Sequence, residues 1–86
     1  MSSSRKLTKR EEALRQELVE LEERVRTKIR RITVTHQKLP YERLARGREI
    51  KETVLLAIQF LDKGDGYNLD IVLDRIESLG ISLKNN

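Results

Sequence analysis

No cysteine occurs in this chain, which excludes a disulfide framework, thiolate metal ligation and a cysteine nucleophile. One histidine, His36, cannot form a histidine-cluster metal site. Aromatic residues are down to two tyrosines and one phenylalanine, with no tryptophan. That is too few for an aromatic sandwich core, and with Tyr67 outside the main run of basic residues and Tyr41 alone within it there is no repeated interleaving of the kind a base-stacking platform requires. One proline and four glycines in 86 residues leave few of the chain breaks that a many-stranded fold needs. Long apolar runs are missing as well. The longest, residues 54–58, falls far short of the ~20 residues of a transmembrane helix, and the Met-Ser-Ser-Ser-Arg-Lys start has no hydrophobic region of the kind a secretory signal carries. These absences lead us to expect an intracellular protein, cytoplasmic or nuclear, with no membrane, metal or cofactor to hold.

Charge is what the chain has in abundance: charged residues make up 37% of it, a balance typical of long solvated helices. The charge is sorted in sequence. Residues 11–23 carry six glutamates and one arginine, whereas residues 24–51 carry ten basic residues and two acidic ones. Charge sorted along one axis in this way implies a partner.

The spacing of apolar residues predicts an all-α fold, a single small domain over residues 1–86. Residues 1–7 read as a flexible basic arm, and Thr8 with Glu11 has the capping-box spacing. A first helix over 8–35 follows, with an apolar seam of Leu14, Leu18, Leu21, Val25, Ile29 and Ile32. Seam residues eleven apart repeat, so the helix should be nearly straight or weakly supercoiled, suited to coiled-coil-like association. The β-branched run at Ile32-Thr33-Val34-Thr35 and Pro40 place a turn within residues 36–39, making a helical hairpin with a second helix over 40–63. In that helix, residues 54–61 are apolar almost all round and should form the centre of the core. Gly64-Asp65-Gly66 breaks the chain, and Asn68 suits the N-cap of a short third helix over 68–79. Gly80 then fits a left-handed cap, with Ile81 folding back on Ile76. The tail from Ser82 should be loose, and the third helix should lie across one end of the hairpin.

No catalytic signature emerges. The glycines at 47, 64, 66 and 80 match neither the phosphate-loop nor the dinucleotide spacing. The run from Asp62 to Leu73 fails as a calcium loop because glycines occupy its third and fifth positions and Leu73 stands where a bidentate glutamate is required. His36 has no nucleophile placed near it by any motif. We therefore expect a non-enzymatic interaction subunit that forms homo- or hetero-oligomers through the helix-one seam. A core of this size supplies only about 3–5 kcal/mol, which association would supplement. In a homo-oligomer, antiparallel pairing of helix one would set each acidic block against a basic one, whereas parallel pairing would set like charges together. A helical protein with the opposite pattern would serve equally well. Three spacings, Glu11 with Arg15, Glu20 with Arg24 and Glu22 with Arg26, also favour pairs within the helix. The alternative is a nucleic-acid-binding protein in which Arg24, Arg26, Lys28, Arg30, Arg31, Arg43, Arg46 and Arg48 contact duplex phosphates.

Overall fold

A computed structural model describes residues 6–35 and 41–84. It is all-α, with α1 over Lys9–Thr35, α2 over Tyr41–Lys63 and α3 over Gly66–Ser78. The expected turn at 36–39, with His36 and Pro40, and most of the basic arm lie outside the described residues. The Thr8 capping box is formed as the sequence implied. Glu11 N–H donates to Thr8 Oγ1 at 3.1 Å and Thr8 N–H donates to Glu11 Oε1 at 2.9 Å, satisfying two backbone donors that helix geometry leaves without partners.

The helices pack as an antiparallel succession with α2 in the middle. Arg15, near the start of α1, meets Asp62 at the end of α2 with bonds of 2.8 and 3.1 Å. Arg75 near the end of α3 meets Glu49 of α2 at 2.8 Å. Helix α3 therefore lies alongside α2 instead of crossing an end of the hairpin. The cause is the connection, which is only two residues long. Gly64 takes a positive φ of 77°, Gly64 N–H donates to Leu61 O and Asp65 N–H donates to Phe60 O at 2.9 Å, the bond pair of a Schellman cap. Asp65 then opens α3 itself, its carboxylate accepting from Asn68 N–H at 3.2 Å and from Asn68 Nδ2 at 2.7 Å. Helix α3 thus begins at Gly66 with Asp65 as its cap, and Asn68 is a donor to that cap instead of being the cap.

Leu14, Leu18 and Leu21 of α1, Val54, Ala57 and Leu61 of α2, and Val72, Leu73 and Ile76 of α3 form one buried cluster. Leu18, Val54 and Ile76 have no exposed surface. The apolar run of α2 does supply the centre of this core, but it is not buried all round: Leu55 and Leu56 face solvent. With only two neighbouring helices, α2 keeps a third side open. Ile81 and Leu83 pack against the core from the tail, and Lys84 N–H donates to Glu17 Oε2 at 2.7 Å. The tail through Lys84 is accordingly anchored to α1, not loose. Gly80 has φ 92°, Gly80 N–H donates to Glu77 O and Ile81 N–H donates to Ile76 O at 3.4 Å, which is the Schellman arrangement expected from Gly80 and Ile81.

Candidate functional site

Helix α1 has 27 residues and α3 has 13, so the third layer of the bundle is shorter than the hairpin it covers. Helix α3 ends beside the first half of α2, where Arg46 Nη2 donates to Leu79 O at 3.1 Å. Beyond that point the apolar seam of α1 continues without a third wall. Leu14, Leu18 and Leu21 are buried, whereas Val25, Ile29 and Ile32 are only half-buried. Six residues that look equivalent in sequence therefore divide into a core half and an open half.

The open half forms a cleft of about 500 Å³, lined from α1 by Leu21, Arg24, Val25, Lys28 and Ile32, from α2 by Arg43, Arg46, Gly47 and Ile50, and from the tail by Ile81. Its depth depends on Gly47. A Cβ there would stand 3.0 Å from Ile29 Cγ1, so the absence of a side chain lets α2 approach α1 and seats Ile29 between the two helices. The floor is apolar. The walls carry four cations, with Arg24 and Lys28 one helical turn apart on α1 and Arg43 and Arg46 on α2. No described aspartate or glutamate lines it.

All eight cations singled out from the sequence are exposed, and the structure distributes them unequally. Arg24, Lys28, Arg43 and Arg46 gather at the cleft, while Arg26, Arg30, Arg31 and Arg48 do not line it. Arg26 pairs with Glu22 at 2.8 Å, as its spacing implied. The other two expected pairs do not form. Glu11 caps the helix, so Arg15 turns to Asp62. Glu20 accepts from Gln16 at 3.0 Å, which leaves Arg24 without an acidic partner among the described residues. Bonding to Asp62 raises the Arg15 pKa above its ordinary value, with attraction to the Asp62 charge second and burial opposing both. A more open depression along Glu20, Glu23, Arg24, Thr27, Lys28 and Arg31 carries both signs of charge and less apolar surface than the cleft.

Sequence reasoning missed Ile50 and Ile81 as cleft residues. The signal for Ile81 was present in the Gly80 cap, which dictates that the next residue folds back. Ile50 carried no such signal, since it stands among charged residues and only the approach of α1 makes it a wall. Among the described residues no group of acids and histidine could hold a metal ion, no buried side-chain polar atom lacks a hydrogen-bond partner, and no helix is long and apolar enough to cross a membrane. Comparison of the chain with protein-family models, with curated proteins and with solved structures finds no match in any of the three.

Proposed function

We propose that this protein is a non-enzymatic helical interaction subunit that receives a helix of a partner in the open half of its hairpin. One observation carries the reading: Val25, Ile32, Ile50 and Ile81 form an apolar floor that α3 is too short to cover, bordered on both sides by cations. Apolar anchors within a charged border are the pattern of helix-in-groove recognition, where side chains at every third and fourth position enter the groove. The test is a photo-crosslinking residue at position 28, beside the cleft, and at position 59, on the exposed side of α2. Crosslinks to a defined partner from position 28, lost in the double variant Val25→Asp/Ile32→Asp and never seen from position 59, support the proposal. Equal crosslinking from both positions overturns it.

A second reading, contact with duplex phosphates, draws support from the exposure of all eight cations. Arg26 and Arg30 lie away from the cleft pair Arg24 and Lys28, so one straight duplex meets only part of the set. Such binding has to weaken steeply with salt, because each neutralised phosphate releases counterions.

A further inference from the structure

We infer that the occupant of the cleft is an acidic amphipathic helix of a different protein, about three turns long, with carboxylates on both flanks of its apolar stripe. The inference rests on the interaction-subunit reading and adds the chemistry of the partner. Length comes from the floor. Leu21 to Ile32 covers eleven residues of α1, or about 16 Å at the α-helical rise, which matches roughly three turns of an occupant lying along it.

Charge comes from the walls. Arg24, Lys28, Arg43 and Arg46 stand two to a side. None of them forms an ion pair with a described residue, and Arg46 makes its bond to a neutral carbonyl. A wholly apolar occupant would strip water from these cations and return nothing, which costs free energy. An occupant with glutamates or aspartates on each flank meets them with charge-assisted bonds while the arginine and lysine stems extend the apolar contact. The cleft is only partly enclosed, so a small molecule would keep part of its surface in water whereas a helix covers the opening.

A second copy of this chain fits poorly. Two clefts facing each other across a two-fold axis would set four cations against the same four. The acidic block that would complement them has no apolar stripe left to offer, since Leu14, Leu18 and Leu21 are buried in their own core and Glu22 is buried and bonded to Arg26. An acidic helix of a different protein meets the cleft without either conflict.

The experiment uses fluorescence anisotropy with three labelled probes: a peptide of about 14 residues with leucine along one stripe and glutamate on both flanks, the same peptide with lysine for glutamate, and a duplex DNA. The full chain and the variant Arg24→Glu/Arg43→Glu are compared, with circular dichroism confirming that the variant stays helical. The expected result is binding of the glutamate peptide over the lysine peptide, weakening by at least about tenfold in the variant together with reversal of the preference. Equal binding of the two peptides, abolished by Val25→Asp/Ile32→Asp, overturns the acidic-partner inference and leaves the interaction cleft standing. Binding of duplex DNA alone overturns both, and binding of none of the three probes overturns the inference.

Discussion

A Cβ on Gly47 would lie 3.0 Å from Cγ1 and 3.2 Å from Cδ1 of Ile29, so the closest approach of α1 and α2 at the cleft is fixed by one missing side chain. Two opposing effects then meet at this position. Alanine within a helix is favoured over glycine by about 0.8–1 kcal/mol, while the added methyl group must displace Ile29 by a few tenths of an ångström. The Gly47→Ala variant should therefore change stability by less than about 1 kcal/mol in the native background. With Ile29→Ala the obstacle is removed, and the same substitution should stabilise by about the full propensity difference. Urea denaturation of the four members of the cycle measures the coupling. Additive effects within about 0.3 kcal/mol would show that the close approach does not constrain the helices.

The division of the α1 seam makes a second expectation. Leu18 has no exposed surface and sits amid the core of all three helices, so Leu18→Ala should cost about 2–5 kcal/mol, the usual range for a cavity of this kind. Ile32 is half-buried at the open end. Its truncation to alanine removes less buried area, from a site already open on one side, and should cost less, about 1–2 kcal/mol. A domain this small has little stability in reserve, so the first variant should be largely unfolded at 37 °C while the second keeps its helical spectrum. Similar costs at both sites would contradict the split.

That split marks where the sequence stops being informative. Period and spacing report which side of a helix is apolar, and the seam of α1 is found where its spacing implies. They do not report what covers that side. Whether Leu18 and Ile32 differ depends on where α3 ends, which is set by Gly80, forty-eight residues beyond Ile32. Local devices were legible to the atom. The Thr8–Glu11 box and the Gly80–Ile81 cap each need only residues within five positions, and both are formed. The sequence pointed to Asn68 as the cap of α3, although Asp65, in the glycine-flanked break, is a residue type equally suited to capping. The Schellman ending at Gly64 favours Asp65 by delivering it already positioned at the start of the next helix. Arg15 illustrates the remaining gap, since its partner Asp62 is 47 residues away and a nearer acid, Glu11, was already engaged with Thr8.

The Asp65 cap predicts a pH dependence. Bonds from the Asn68 side chain and then from Asn68 N–H hold the Asp65 carboxyl below the usual carboxylate range, with a smaller contribution from Lys63 and opposition from burial. A depressed folded-state pKa stabilises the fold above the unfolded value of about 3.9, and that contribution disappears as the pH falls through the folded value. In Asp65→Asn a capping acceptor remains but the titration is gone. The midpoint of thermal unfolding should therefore be higher for the native chain at neutral pH, with the difference shrinking as acid is added. Circular dichroism melts across a pH series read this directly. A gap between the two proteins that stays constant down to about pH 2 would show that the Asp65 charge has no part in the cap.

Gly80 separates backbone strain from side-chain crowding. At φ 92° it occupies a region that L residues rarely adopt, yet the nearest atom to an added Cβ would be Arg46 Nη2 at an ordinary 3.7 Å. The cost of Gly80→Ala should accordingly be conformational, roughly 1–2 kcal/mol. It should also reach the cleft, because Ile81 is seated by the same cap, so the tail from Gly80 to Lys84 should exchange its amide hydrogens faster in the variant than in the native chain. Chemical synthesis allows a sharper comparison. D-alanine at position 80 adds the same methyl group but favours positive φ, so it should match or exceed the native stability if strain is the whole cost. If D-alanine destabilises as much as L-alanine, the space around Gly80 is tighter than 3.7 Å implies, and the methyl group itself is what the cap excludes.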